Sequence, residues 1–450
     1  SHIDPLPDDQ QPHRINVGKG TLPRQHPACK SIEELGLLDM NILFIGGFFD
    51  PHMEERILAK SRGPVGYAAN KLQWNLIDGF ARTDGVHLEA VSAPYVGAYP
   101  NDYRDLFVGR CEDTYDGLVR CKYVPFCNLW GYRNISRRNS VRRETGKFIL
   151  RDTARKAIII YSAHTPFLQA AVYAKEQDPS IHLCLIVTDL PHLMRLGNKQ
   201  SAVYEILKAI DLREFQRDLR HVDSFVLLTE DMKYVLNVGQ RPYIVVEGVV
   251  SISSDSMAIN PRPKVESIKT ILYTGTLAKE YGVTNLVRAF SGINDPNVRL
   301  LICGRGDCED FVRCCASRDD RIRFLGQLSN TEAVKLQQSA TILVNPRQNT
   351  EEFAKYSFPS KNMEYLLSGN PVIAYKLDGI PDDFDDHFFY VGDNSLESLR
   401  SKIVEVLSLT REERCEFAAR AREFVISEKN NIKACARILS MIESGMPGKH

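Results

Sequence analysis

The sequence has no net charge, no long apolar run and no paired cysteine motif. Its 57 lysines and arginines match 57 aspartates and glutamates, which argues against a nucleic-acid binder, because such proteins normally carry a basic excess to neutralise phosphates. No apolar stretch approaches the ~18 residues that a membrane-spanning helix needs. The 11 cysteines include no Cys-x-x-Cys pair and are odd in number, which favours free thiols in a reducing compartment. We therefore expect a globular protein of the cytoplasm.

The length of 450 residues is about three times the ~150 typical of one domain, so two or three domains are expected. A hydrophobic fraction of 43% with 25% charged residues is typical of a folded protein. Residues 1–39 carry scattered prolines and develop no helical or strand period. They are not a signal peptide. We interpret them as a tail, or as a segment added ahead of a native start near Met40.

From residue 40 onward, apolar runs of strand length alternate with helical periods. The runs lie at 41–49, 88–92, 156–161, 183–188, 224–228 and 243–246, and again at 270–274, 299–303, 322–325, 341–344 and 371–374. Continuously apolar strands separated by helices indicate parallel sheets covered on both faces. The pattern pauses at the serine- and proline-bearing segment 251–264. The sequence therefore predicts an α/β fold of two doubly wound, Rossmann-like domains.

The predicted domains are 40–250 and 265–425, joined by a linker at 251–264. A C-terminal helix at 426–450 is expected to pack back on the N-terminal domain. Ligands of doubly wound sheets bind beyond the carboxyl ends of the strands. The cleft between the two domains is therefore the expected site.

One helix start in the second domain has the character of an anion site. Ser357 and Ser360 flank Pro359, the predicted helix runs from Ser360 to Gly369, and Lys361 lies in its first turn. The dipole and free N–H groups of such a helix end attract phosphate. Glu364, one turn further on, could accept hydrogen bonds from a ribose diol. A serine-capped helix with a solvated lysine and glutamate is the alternative for these residues taken singly.

Four blocks of the C-terminal half, in order, resemble the retaining glycosyltransferases of family 4, which have the GT-B fold. The blocks are Tyr273-Thr-Gly275-Thr-Leu277 with Tyr281-Gly282, Leu300-Leu-Ile-Cys-Gly304-x-Gly306-Asp307, Phe324-Leu-Gly326, and Pro359-Ser-Lys-x-x-Glu364-Tyr-Leu-x-Ser-Gly369. The resemblance covers roughly residues 270–375 well and the N-terminal half only loosely. It implies two Rossmann-like domains that face each other across a cleft, with the nucleotide sugar bound by the second.

The resemblance also implies the donor-binding residues. They are Gly275, Thr276, Lys279, Gly304, Arg347, Ser357, Pro359, Ser360 and Glu364, with Lys361 in a catalytic role. Two departures stand out. Where the family often carries a second acidic residue this chain has Tyr356, and its phosphate loop has Thr276 and Tyr281 where an arginine and a lysine are common. Lys279, Arg347 or Lys361 is then expected to supply the cation for the diphosphate.

In the N-terminal half, His164 follows a strand end and is similar to the family's histidine that faces the donor sugar. Asp189, at the end of the next strand, could direct a carboxylate into the same cleft. Gly66 and Asn70 could offer backbone and amide donors to phosphate or acceptor. The alternatives are a hydrogen-bonded structural histidine for His164 and a turn-forming aspartate for Asp189.

Two further features need separate interpretations. The acidic run at 382–386 resembles a metal motif, but hard cations need a converging cage and the GT-B fold does not generally require metal, so no metal or other cofactor is expected. A basic cluster next to Trp130 and Tyr132 runs from Arg133 to Lys147. It is either a solvated face or a contact for anionic lipid at the inner face of a membrane.

The resemblance implies transfer of a sugar from a nucleotide-diphosphate sugar to a glycan or lipid-linked glycan, with retention of anomeric configuration, in surface polysaccharide biosynthesis. Two other functions stay open. One is a sugar-nucleotide epimerase or hydrolase of the same fold, and the other is a non-catalytic protein that binds a nucleotide sugar.

Overall fold

The computed structural model describes residues 39–63, 65–151, 155–190, 202–252, 267–350 and 352–446. The predicted tail at 1–39 and linker at 251–264 therefore lie almost wholly outside the described residues. None of the described helices is long and apolar enough to cross a bilayer. Every cysteine of the described ranges is a free thiol.

The elements alternate much as the apolar pattern predicts. The strands are β1 Met40–Gly46, β2 Val86–Ser92, β3 Phe107–Val108, β4 Cys111–Tyr115, β5 Val119–Tyr123, β6 Phe126–Cys127, β7 Lys156–Tyr161, β8 His182–Val187, β9 Ser224–Leu227, β10 Tyr243–Val245, β11 Lys269–Thr274, β12 Val298–Cys303, β13 Ile322–Gly326, β14 Ile342–Asn345, β15 Val372–Ala374 and β16 Phe389–Tyr390. The helices are α1 Pro51–Lys60, α2 Tyr67–Ala81, α3 Arg133–Ile149, α4 Thr165–Gln177, α5 Ala202–Asp218, α6 Met232–Val235, α7 Val283–Ser291, α8 Glu309–Ala316, α9 Asn330–Ser339, α10 Ser360–Leu367, α11 Leu396–Ser408, α12 Arg411–Glu428 and α13 Asn431–Gly445.

The strands form two large sheets, one in each half of the chain. The first has the order β10-β9-β8-β7-β1-β2-β5-β4 and the second the order β13-β12-β11-β14-β15-β16. Apart from β4, which runs antiparallel to β5, neighbouring strands in both sheets are parallel. Strands β1 and β7 are buried along their whole length, as expected for a sheet covered on both faces. The predicted fold of two Rossmann-like domains is confirmed.

The C-terminal helix α13 belongs to the core of the first domain. Its apolar side chains, among them Cys435, Ile438 and Leu439, pack in one cluster with Leu76 and Phe80 of α2. The last helix in the sequence thereby covers a sheet that was formed by the first half of the chain.

The chain crosses between the domains twice, and the two crossings are bonded to each other. Val250 donates its N–H to the carbonyl of Lys429 at 2.9 Å, and Asn431 donates its N–H to the carbonyl of Val250 at 2.9 Å. The ammonium of Lys429, buried at this junction, contacts the carboxylates of Glu247 and Asp383. Because both crossings lie side by side, any rotation of one domain relative to the other must have its hinge at this junction.

Several elements of the first domain are absent from the sequence-based prediction, among them the β4–β5 hairpin and helix α1. The β4–β5 hairpin turns at Asp116 and Gly117, both of which have positive φ, as a tight hairpin turn requires. Helix α1 begins at Pro51, and the carboxylate of Asp50 accepts from the N–H of Met53 at 2.8 Å to cap it. Both elements border a cavity that is described below.

We predict that Gly79→Ala destabilises the protein by about 1 to 3 kcal/mol, a typical cost of overpacking. A methyl group at Gly79 would lie 2.5 Å from the carbonyl oxygen of Asn431 and 2.6 Å from Sγ of Cys435, so α13 could not keep its place on α2. Gly146→Ala, on α3, is the matched control because nothing lies within 4 Å of the added methyl. It should stabilise by about 0.5 to 1 kcal/mol. Urea unfolding of both variants measures the difference, and equal effects would contradict the docking of α13.

Candidate functional site in the interdomain cleft

Helix α10 is tied to the first strand of the second sheet, which fixes where it begins. The hydroxyl of Tyr365 accepts from the N–H of Thr274 at 2.8 Å and donates to the carbonyl of Thr274 at 3.0 Å. The buried amide of Asn345, at the end of β14, donates to the amide oxygen of Asn362 at 2.7 Å. These contacts hold the start of α10 beside the carboxyl ends of β11 and β14, where a ligand is expected.

The first turn of α10 is open to an anion. Its cap residue is Pro359, which has no side-chain oxygen, and no side chain caps the helix. Ser360 is exposed, while Ser357 and Pro359 are half-buried. Uncapped N–H groups at a helix start carry partial positive charge. Ser357, Pro359 and Ser360 thus lie where the sequence predicted them, at the open end of the helix.

Glu364 lies between two lysines that come from different domains. Its carboxylate contacts Nζ of Lys361 at 2.7 Å and Nζ of Lys71 at 3.4 Å. Lys361 lies one turn earlier on α10, whereas Lys71 is on α2 of the first domain. Burial alone would raise the pKa of Glu364, but the two ammonium groups outweigh burial and hold the pKa below its ordinary value. The carboxylate is therefore charged and bridges the cleft.

Two glycine-containing loops pack against each other next to α10. Gly304 follows β12 with φ of +140°, and a side chain there would overlap the carbonyl oxygen of Gly275. Leu277 donates its N–H to the carbonyl of Arg305 at 2.8 Å, which joins the loops. The predicted donor residues Gly275, Thr276 and Gly304 are thus neighbours.

The remaining predicted cations lie around these loops. Lys279 is exposed, and its N–H donates to the carboxylate of Asp307 at 3.2 Å. The guanidinium of Arg347 lies 5.2 Å from the ring centre of Tyr281. Burial lowers the pKa of Arg347 from its ordinary value, but an arginine keeps its proton in either case. Arg347 is thus a partly buried cation at the end of β14.

His164 lies across the cleft, at the carboxyl end of β7, where it is the cap residue of α4. Its ring centre is 4.4 Å from that of Phe167 and 5.5 Å from that of Tyr95. Its Nδ1 is buried and has no hydrogen-bond partner among the described residues. Burial, with the nearby cations Arg137 and Arg133, lowers the pKa of His164 well below its ordinary value. The imidazole is therefore neutral, with one nitrogen left for a ligand.

The other predicted residues of the first domain have varied environments. Asp189 follows β8, next to the strand that precedes His164, and burial raises the pKa of its carboxyl although Thr188 donates to it. Gly66 is the exposed cap residue of α2. The amide of Asn70 is already engaged, since it accepts from Phe49 N–H at 2.9 Å and donates to Phe49 carbonyl at 3.1 Å. In this structure Asn70 holds the loop after β1.

The basic segment from Arg133 to Lys147 forms α3, and its cations do not share one face. Arg137 is 2% exposed and donates to the carbonyl of Pro94 at 2.8 Å. Arg142 stacks on Tyr173 at 3.5 Å, and Lys147 contacts Glu144 at 2.7 Å. The expectation of a single solvated basic face is therefore wrong for Arg137, which is a structural residue behind His164.

The acidic run at 382–386 pairs with lysines. Asp382 and Asp385 contact the ammonium of Lys376, and Asp383 contacts that of Lys429. Among the described residues no group of three or more histidine, cysteine, aspartate or glutamate side chains is arranged to hold a metal ion.

Two residues of the cleft had not been singled out as cleft contacts in the sequence. Lys71 reaches Glu364 from the first domain, and Tyr356, at the position of the missing acidic residue, packs against the apolar core of the first domain. Both contacts join residues far apart in the chain. A helical period identifies α2, but nothing local indicates which of its lysines meets the other domain.

We predict that His164 makes the protein less stable in mild acid. Its folded pKa lies below the unfolded value of about 6.5, so below that pH the unfolded state binds more protons and stability falls by up to about 1.4 kcal/mol per pH unit. When the pH is lowered from about 7.5 to about 5.5, the melting temperature of His164→Phe should therefore fall less than that of the wild type. His87→Phe is the control, because His87 is 65% exposed. An unchanged pH profile in His164→Phe would show that the histidine is not held neutral.

Comparisons with known proteins agree with this architecture. Residues 258–424, which include α10 and the glycine loops, match the family model described as Glycosyl transferases group 1. Over 113 residues the chain is 32% identical to a phosphatidyl-myo-inositol mannosyltransferase of Mycobacterium leprae, and the match spans 24% of this chain and 29% of that protein.

Solved structures match over most of the chain. Sucrose-phosphate synthase from Thermosynechococcus elongatus has 16% identity and a TM-score of 0.57 over 90% of this chain and 98% of its own. Anabaena HepE, solved in complex with UDP, has 14% identity and a TM-score of 0.57 over 90% of this chain and 100% of its own. At this identity the likeness bears on the fold. The comparisons therefore show a GT-B-like fold for the chain and a glycosyltransferase family match for residues 258–424.

Proposed function

We propose that the protein transfers a sugar from a nucleotide-diphosphate sugar to a hydroxyl of a glycan or lipid-linked glycan, with retention of anomeric configuration, in surface polysaccharide assembly. The observation that carries the proposal is the charge cluster at the start of α10. There, Glu364 meets Lys361 from its own helix and Lys71 from the opposite domain. Glu364 and Lys361 lie within the segment that matches the glycosyltransferase family model.

The donor would bind with its diphosphate at the start of α10. The open N–H groups of that helix and the cations of Lys361 and Arg347 would stabilise the charge that develops on the departing diphosphate. Glu364 would then accept hydrogen bonds from the ribose. Lys361 would turn from Glu364 toward phosphate, a change that leaves the carboxylate free for the diol.

Lys71 would supply part of the positive charge that the phosphate loop lacks. This chain has Thr276 and Tyr281 where the resembled family commonly has an arginine and a lysine. Since Lys71 is on the first domain, its contact with the donor would require a closed cleft. Closure also excludes water, which matters because hydrolysis of the donor competes with transfer.

The sugar would lie between α10 and His164. The neutral imidazole can donate or accept a hydrogen bond with a sugar hydroxyl, and its buried Nδ1 has no hydrogen-bond partner among the described residues. None of the site's side chains is a clear covalent nucleophile. The acceptor hydroxyl would therefore attack on the face that the diphosphate leaves. The bond from the anomeric carbon to phosphate oxygen breaks, the new glycosidic bond forms, and the acceptor proton passes to the departing phosphate.

The two rival functions predict different consumption of the donor. An epimerase or hydrolase of this fold would consume the donor with no acceptor present. A non-catalytic binder would bind nucleotide without turnover, and the presence of Tyr356 in place of an acidic residue favours this rival.

No divalent metal should be needed for transfer, so activity should survive a chelator.

A lipid-linked acceptor is supported by the surface around the start of α3. Leu129, Trp130, Tyr132 and Ile135 are between 43% and 48% exposed, and Arg133 and Arg138 lie beside them. Aromatic and aliphatic side chains next to arginines are suited to a membrane interface. We therefore propose peripheral contact with anionic lipid through this end of α3.

We predict that one nucleoside diphosphate out of UDP, GDP, ADP and dTDP raises the melting temperature of the wild type, and that CMP does not. At ~100 times the dissociation constant a ligand adds roughly 2.7 kcal/mol to stability. Glu364→Ala should abolish this stabilisation, because the substitution removes the carboxylate that accepts hydrogen bonds from the ribose. If no diphosphate stabilises the wild type, the donor assignment of α10 is wrong.

We predict that Lys71→Met weakens nucleoside diphosphate binding by about tenfold, the equivalent of one lost charge contact of about 1.4 kcal/mol. Lys335→Met, an exposed lysine on α9, is the control and should bind as the wild type does. Isothermal titration calorimetry measures both. Wild-type affinity in Lys71→Met would mean that the first domain does not contact the phosphates.

We predict that the wild type sediments with phosphatidylcholine vesicles only when they contain phosphatidylglycerol. The double variant Trp130→Ala with Tyr132→Ala should sediment several-fold less, because the interfacial aromatic side chains are removed. Leu150→Ala, at the other end of α3 where Leu150 is 86% exposed, is the control. Equal sedimentation of the double variant and the wild type would exclude this surface.

A further inference from the structure

A cavity of about 280 Å³ lies in the first domain, lined by Asn70 of the predicted phosphate or acceptor loop but by none of the predicted donor-binding residues. It is bounded by the start of α1, by Trp74 on α2, and by the β4–β5 hairpin. The hairpin presents Asp113, Tyr115, Cys121 and Tyr123 to this space. The volume suits a single small ring or a short chain.

The lining of this cavity is acidic. Asp50, Glu54, Asp113 and Asp116 all border it, whereas no lysine or arginine is among its described lining residues and His52 is its one histidine. Asp116 is in part neutralised from outside by Arg82, at 2.8 Å. An excess of carboxylates excludes phosphate, sulfate and carboxylate ligands, because like charges repel at short range.

Aromatic rings form part of the remaining wall. The ring centre of Trp74 lies 4.9 Å from that of Tyr115, and Phe49 and Tyr123 also line the cavity, together with Pro51, Asn70, Thr114 and Cys121. The faces of such rings carry negative electrostatic potential and attract cations. The rings and the carboxylates therefore both favour a positively charged ligand.

One buried polar group in the lining has no hydrogen bond of ordinary geometry. Tyr123 is 1% exposed, and its hydroxyl lies near the carboxylate of Asp50 without a well-formed hydrogen bond to any described residue. Burial raises the pKa of this phenol, as do the nearby Cys121 and Asp50. A neutral phenol oxygen can accept from an N–H group. Leaving it unpaired is costly unless a ligand or water completes it.

From these features we infer that the cavity is an ammonium-binding subsite, formed by Trp74, Tyr115, Tyr123, Asp50 and Asp113. The amine of an amino sugar or of an alkylamine sits against the rings, donates to the hydroxyl of Tyr123 and is neutralised by the carboxylates. A metal ion is a poorer fit, since no described group of side chains is arranged to hold one. The inference does not depend on the proposed transfer reaction.

The test uses the fluorescence of Trp74, which becomes the sole tryptophan in the Trp130→Phe variant because the chain has 2 tryptophans. Glucosamine and choline are titrated in one series, with glucose and tert-butyl-ethanol as their uncharged counterparts. We expect saturable quenching by at least one charged probe and none by its neutral counterpart. Whether glucosamine or choline binds more tightly distinguishes an amino sugar from an alkylammonium ligand. Equal quenching by charged and neutral probes, or none by either, overturns the inference.

Substitutions then localise the binding. In the same background, Asp113→Asn should weaken either charged probe by about tenfold because a charge is lost, whereas Tyr123→Phe should weaken only glucosamine, because a quaternary ammonium has no N–H to donate. Asp50→Asn should also weaken it while leaving α1 capped, because asparagine is an equally good cap. Glu112→Gln is the control, since Glu112 pairs with Arg110 and Arg120 outside the cavity. Unchanged affinity in all three cavity variants would place the ammonium elsewhere.

Discussion

The paired crossing of the chain between the domains is the constraint on which the cleft depends. Val250 bonds to Lys429 and Asn431 in one short bridge, and α13 is fastened directly after it to α2. Helix α2 carries Lys71, so the same helix that anchors the C-terminus also supplies the cation that reaches Glu364. The position of the first domain relative to α10 is therefore set by a few contacts at one junction.

The positive side chains at the cleft and the carboxylates at the cavity lie in separate parts of the first domain. At the cleft, Lys71 extends toward the second domain, while Arg137 lies buried behind a neutral His164. About one turn further along α2, Trp74 faces carboxylates of the hairpin and of α1. The cleft is thus suited to a polyanionic donor, and the adjoining cavity repels it. An arrangement of this kind keeps a diphosphate at α10 and leaves the other space to a ligand of different charge.

Much of the fold could be predicted from the sequence, because buried parallel strands are continuous apolar runs. Strand β7 matches its predicted bounds, and the start of α10 was also correct. The β4–β5 hairpin was missed although its signal was present, in Asp116-Gly117 followed by alternation of Val119, Cys121 and Tyr123 with charged residues. The lysine at position 71 and the burial of Arg137 depend on tertiary contacts that no local pattern reveals.

A crystal structure of the complex with the best-binding nucleoside diphosphate would show whether the cleft binds it between α10 and the first domain. We predict that the two phosphates lie at the first turn of α10, that Lys361 and Lys71 move from Glu364 to phosphate oxygens, and that the ribose contacts Glu364. A nucleotide bound away from α10, or one bound there with both lysines still on Glu364, would contradict this prediction.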